Sequence, residues 1–227
     1  MCLLALAGCS SGGNPIVDAA LERFTGEDDA PTATGAPAPA NAPRRSAGIT
    51  RAAIEATGTA MIRGRLVEEN SRSVLSGVTV NGPYVTYASR FGQLLTLNGS
   101  LITGSRGIGT DLLSLTPGAN DPLVRARPVA SWPATIRRTY RVPGPGPGGR
   151  AITVTCRYQP GETREIEIVE VIHKGQQVEE ICSGDDVSFT NVHFADAENG
   201  FVWRSLQWLG PDQGFIDLEV LEPFTSD

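Results

Sequence analysis

From Ile136 onward the chain alternates apolar and polar residues, with no helical period to interrupt the pattern. No other feature limits the fold so strongly. Strand-like runs read at 136–142, 151–158, 164–172, 177–182, 187–194, 201–208 and 215–221. A period of two is what a strand with a buried face requires. Most of the connections are too short for a crossover, and strands joined by short turns pair antiparallel. Pro160-Gly161 and Lys174-Gly175 read as two of those turns, and Pro143–Gly149 is a Pro/Gly loop with no core potential. The expected architecture is mostly β, an antiparallel meander forming a barrel- or sandwich-like sheet with a few short helices.

The closing hairpin, 201–223, holds two of the three tryptophans. Alternation places Phe201, Trp203, Ser205 and Gln207 on one face of its first strand, and Val202, Arg204, Leu206 and Trp208 on the other. Both faces carry bulk, so the strand is either covered on both sides or offers a recognition surface. Trp203, Arg204, Gln207 and Trp208, with Arg106 from an upstream loop, are the candidate binding residues. At least one of the two tryptophans is expected in the core, the commoner fate of that side chain.

Upstream of the meander, 50–56 reads as a short helix capped by Thr50. Strands follow at 60–67, 78–81 and 84–88. Leu94–Asn98 and 101–103 flank Gly99, and Asn98-Gly99 between alternating runs predicts a hairpin with a type I′ turn. Gly104, Gly107 and Gly109 precede what reads as a short helix capped by Thr110 or Asp111. Three glycines ahead of a helix can cradle a phosphate, but no Gly-Lys-Ser/Thr follows and no βαβ unit surrounds them. A tight crossover is the preferred reading.

The N-terminus ends an apolar stretch in Leu6-Ala7-Gly8-Cys9, followed by Ser-Ser-Gly-Gly. This pattern resembles the bacterial lipobox, whose cysteine is lipidated and becomes the mature N-terminus. Eight residues precede Cys9 and none is basic, so a longer signal upstream of Met1 is expected. An apolar stretch this short cannot span a bilayer; attachment would be through palmitate-type acyl chains on Cys9. Residues 10–25 read as a tether with a short helix, 26–48 as an Ala/Pro-rich linker unable to build a core, and 49–227 as one β domain. Cys156 and Cys182 lie on strands either side of 164–172; in an oxidising compartment they would form a disulfide.

A formal charge of −6 with no basic block excludes nucleic acid as a partner. Only Lys174 departs from arginine among the 19 basic residues. His173, at the Lys-Gly turn, and His193, on a strand, are the only near-neutral bases, and neither adjoins a nucleophile motif. Glu165, Glu167, Glu170, Glu179 and Glu180 read as the solvated face of a sheet. No metal or cofactor is implied, and catalysis is not expected.

Five segments together carry a family resemblance: Leu-Ala-Gly-Cys9, 49–56, 95–113, Glu179-Glu-Ile-Cys182 and Val202-Trp-Arg-Ser-Leu-Gln-Trp-Leu-Gly-Pro211. The chain resembles the YjbF family, the group 4 capsule polysaccharide lipoproteins of the GfcB type. The likeness spans about 49–223 and is most specific at Trp-Arg-Ser-Leu-Gln-Trp. It implies an outer-membrane lipoprotein facing the periplasm and serving capsule or exopolysaccharide production or secretion. Its implied partners are outer-membrane lipid through Cys9, and an outer-membrane β-barrel export partner or an acidic polysaccharide. It carries over no catalytic residues. The alternative is a polysaccharide-modifying enzyme on the same scaffold.

Overall fold

A computed structural model describes residues 48–225. Cys9, the tether with its short helix, and the linker up to residue 47 fall outside the described residues. The described chain opens with α1 (Arg51–Glu55), whose N-cap Thr50 accepts a hydrogen bond from Ala53 N–H. Strands β1 (Met61–Leu66), β2 (Ser71–Asn81), β3 (Tyr84–Ala88), β4 (Leu94–Asn98) and β5 (Leu101–Arg106) form a first meander. A second runs through β6 (Ser114–Thr116), β7 (Thr135–Val142), β8 (Arg150–Ile168), β9 (Val171–Ser183), β10 (Ser188–Asp196), β11 (Val202–Gly210) and β12 (Gly214–Glu222).

The two meanders join where β12 pairs with β1, giving one antiparallel sheet in the order β5-β4-β3-β2-β1-β12-β11-β10-β9-β8-β7-β6. Its end strands come back together, and Ser105 N–H donates to Leu112 C=O at 2.9 Å across the seam. The result is a nearly closed, twelve-stranded, barrel-like sheet. Closure of this kind protects strand edges that would otherwise recruit other chains.

Directly opposed residues share a face, so the register traces the inner wall strand by strand. Ile136, Cys156, Cys182 and Phe189 follow one another across β7 to β10. His193, Ser205, Leu218 and Gly64 continue across β10, β11, β12 and β1. The apolar members of this wall, with Tyr140, Val154 and Val178, are almost fully buried.

The connection 117–134, between β6 and β7, forms a strap across one barrel mouth. Leu123 C=O accepts from Ser100 N–H at the β4–β5 turn. At the β10–β11 turn, Gly200 (φ +74°) lies so close to the strap that a Cβ there would sit 1.8 Å from Arg127 O. In the strand order these two turns lie on opposite sides of the ring, so the strap crosses the opening.

Three expectations from sequence need correction. Pro160-Gly161 and Lys174-Gly175 are not hairpin turns. The first lies at a bulge between Pro160 and Thr163, and Gly175 pairs with both Arg164 and Asp196. The real turn is Val169-Glu170, both at positive φ (44° and 66°). One long hairpin therefore replaces three shorter strands, and Cys156 and Cys182 are direct cross-strand partners with no strand between them. His173 consequently lies within β9 rather than at a turn.

The hairpin at Gly99 also differs from expectation. Asn98 pairs with Leu101, so Gly99-Ser100 are the central residues, and only Gly99 has positive φ. A type I′ turn needs positive φ at both positions; glycine leading alone is the type II′ pattern. Finally, no helix follows Gly109. Asp111 instead accepts hydrogen bonds from Gly107 N–H, Ile108 N–H and Ser105 Oγ, tying the loop to itself.

Candidate functional site

Behind the strap the inner wall becomes polar. Arg138 on β7 donates from Nε and Nη2 to both oxygens of Asp121 on the strap, at 2.7 and 2.9 Å. Its Nη1 lies 2.6 Å from Glu180 Oε1 on β9. The other oxygen of Glu180 accepts from Asn191 Nδ2 (2.8 Å) and contacts His193 Nε2 (3.1 Å), both on β10. Tyr158 Oη accepts from Arg138 Nη2 at 3.1 Å. The Arg138, Asp121, Glu180 and His193 side chains are 0–1% exposed. Asn191 Oδ1 also accepts from Trp208 N–H, tying the cluster to β11.

One cation faces two carboxylates in a medium that solvates none of them. Burial alone would push the Glu180 carboxyl up, but Arg138, His193 and Asn191 together hold it well below the ordinary 4.5. Burial likewise opposes the charge on Arg138, and Glu180, Tyr158 and Asp121 outweigh it, keeping the guanidinium protonated. Burial raises Tyr140, to about 12. Burial and then Glu180 also raise Tyr158. Trp132, at the strap's C-terminal end, lies edge-on to Tyr158 (4.9 Å between centroids) and to His193 (6.4 Å). Beside the cluster lies the Cys156–Cys182 disulfide, fully buried.

Glu180 overturns the solvated-face reading. It shares its side of β9 with Val178 and Cys182 and is 0% exposed, whereas Glu165, Glu167 and Glu170 are exposed. Its parity with Cys182 was visible in the sequence, and an internal disulfide would have pointed Glu180 inward. Asp121 carried no such signal, because it lies in an irregular connection.

The five residues picked from sequence are not gathered into one patch. Trp208 lies in the core, stacked on Phe189 (4.2 Å) and edge-on to Tyr140 (5.1 Å). Gln207 is 3% exposed and serves the edge of β5: Oε1 accepts from Ile102 N–H, and Nε2 donates to Ser100 C=O and Ser205 Oγ. Trp203 is half-buried and stacks on His173 at 3.9 Å, against a small cluster of Ile54, Met61, Ile168 and Leu221. Burial lowers His173.

Arg204 faces the side of the sheet opposite the core, where its Nε and Nη2 donate to the two oxygens of Asp217 at 3.0 and 2.9 Å. Arg65 pairs with the same Asp217, and Glu219 bridges Arg204 and Arg63, making a five-charge ladder across β11, β12 and β1. Burial would raise Asp217, but Arg204 and Arg65 bring it below its ordinary value. Arg106 is exposed at the end of β5.

A nearly closed antiparallel barrel with a sealed charged cluster and a buried disulfide defines the class: a barrel-like β domain with one acid–base cluster locked into its core. The chain belongs to the family described as group 4 capsule polysaccharide lipoprotein gfcB, YjbF, whose model matches residues 20–221. Its fold is shared by the crystal structure of the hypothetical lipoprotein YmcC from Escherichia coli K12. That likeness has a TM-score of 0.67 at 16% identity, over 78% of this chain and 91% of the other. No curated protein sequence matches the chain. The family label establishes a lipoprotein of the capsule polysaccharide context.

Proposed function

We propose that this protein is an exported, lipid-anchored accessory of capsule or exopolysaccharide production or secretion, acting by binding or docking rather than by catalysis. One observation carries the second half. His193 does sit beside a carboxylate, but Glu180, His193 and Arg138 are sealed at 0% exposure and committed to one another. A general base must reach the proton it removes, and this pair offers no approach for a substrate. Export is supported by the disulfide, which forms and persists in oxidising compartments. Anchorage is supported by Cys9 at the end of a lipobox-like sequence. On this reading the β domain faces the periplasm from the outer membrane.

The test has two parts. Deleting the gene is expected to lower secreted polysaccharide, with recovery by the wild-type chain and not by Cys9→Ala; unchanged secretion in the deletion would refute the accessory role. Purified protein incubated with the host's polysaccharide is expected to leave its size distribution and substituents unchanged by chromatography and NMR. Time-dependent cleavage or loss of substituents would refute the non-catalytic reading.

A further inference from the structure

Where α1, β2 and the C-terminal segment meet, a cleft of about 590 Å³ opens to solvent. It exists because β2 outruns its neighbour. Pairing with β1 ends at Met61–Ser76, and one further bond joins Gly77 N–H to Ala60 C=O at 2.8 Å. The strand continues to Asn81, so Val78–Asn81 have no strand beside them on that side among the described residues.

The opposite wall is charged. Arg51 donates to Glu55 Oε1 (2.9 Å) and to Leu221 C=O (2.6 Å) and also contacts Glu222. The Glu55 side chain is 63% exposed and that of Glu222 31%, so each has acceptor capacity left over. Thr59 and Thr79 also belong to the residues that line the cleft. Val78 (57%), Val80 (52%) and Phe224 (43%) contribute an exposed apolar surface.

We propose that this cleft binds an uncharged stretch of saccharide, an inference that rests on the polysaccharide role proposed above. A sugar ring has a rim of hydroxyls, each both donor and acceptor, and an apolar C–H face. Fixed carboxylates, a guanidinium and an open strand edge match the rim, and Val78, Val80 and Phe224 match the face. The volume lies within the range of small-ligand sites. With one cation against two carboxylates, the lining disfavours a polyanion. An extended apolar peptide could add a strand to the free edge, but it would have to bury Glu55 and Glu222 against side chains that offer them nothing.

The test uses the full chain and oligosaccharides released from the host's secreted polysaccharide, separated by charge. The comparison probes are polygalacturonate oligomers and an alternating Val-Thr hexapeptide. The uncharged fraction is expected to bind by calorimetry and to slow hydrogen exchange across 77–81. Phe224→Ala and Glu55→Gln are each expected to weaken binding by about tenfold without changing Tm. Three results would overturn the assignment: equal binding by polygalacturonate, exchange protection by the peptide with no response to sugar, or unchanged affinity in both variants. In cells, full recovery of secretion by both cleft variants would also overturn it while leaving the accessory role standing. Normal secretion in the deletion strain would instead remove the accessory role itself.

Discussion

Replacing Arg138 with methionine removes the cation that neutralises Asp121 and Glu180 while keeping much of the buried stem. The guanidinium contacts Asp121 at 2.7 and 2.9 Å and Glu180 at 2.6 Å, with every side chain in the set 0–1% exposed. Removing one partner of a buried ion pair costs about 3–5 kcal/mol, and two stranded carboxylates place Arg138→Met near the upper end. At roughly 2–4 °C per kcal/mol for a domain of this size, Tm falls by about 10–20 °C.

The pH dependence separates electrostatics from lost packing. In the wild type the folded Glu180 value is depressed, so its contribution to stability is present at neutral pH and is lost as pH falls through that folded value. In Arg138→Met, burial is the largest influence on this carboxyl and loses its strongest opponent, so the Glu180 value is expected to rise from its wild-type position. The resulting penalty is full above that raised value and fades as pH falls. Urea melts at about pH 7 and about pH 4.5 should therefore show the gap between the two proteins narrowing toward acid. Asp121→Asn and Glu180→Gln added together to Arg138→Met should recover a large part of the loss. A deficit under about 1 kcal/mol at neutral pH, well below the range for a broken buried pair, or a gap that widens toward acid, would refute this account of the cluster.

Removing the Cys156–Cys182 link, 26 residues apart, should cost about 3 kcal/mol in the chain-entropy model; because both cysteines are fully buried, thiol reductant should open it only at the rate of unfolding, as read by mass spectrometry. Gly200→Ala combines a left-handed φ with a Cβ driven into Arg127 O, so it should cost about 2 kcal/mol or more in chemical denaturation and loosen the strap. Gln207→Leu strands Ile102 N–H and Ser100 C=O; each should cost about 1–3 kcal/mol, with faster hydrogen exchange at Ile102.

Much of the fold was legible because strand formation is a local property. Alternation at 136–142 and 215–221 marked β7 and β12 without knowledge of their neighbours, and Thr50 marked the start of α1. Turns were read well only where they used the usual residues. Val169-Glu170 takes two positive φ angles with neither glycine nor asparagine, so nothing local announced it, while Pro160-Gly161 spent a turn-like dipeptide on a bulge. Trp203–Trp208 was the most recognisable stretch by family, but its side chains divide among the core, the edge of β5, an outer charge ladder and a small satellite cluster.

The sequence by itself determined the β class, the two-faced strands, the disulfide pair and the family. Period, turn chemistry and cysteine context are all written within a few residues of one another. Only the tertiary structure decided that β12 closes onto β1, that the strap brings Asp121 to Arg138, and that Glu180 faces inward. Each of those depends on register between strands distant in the chain. A shift of one residue would turn every side chain to the other face, so the place and surroundings of each charge are settled only once the barrel has closed.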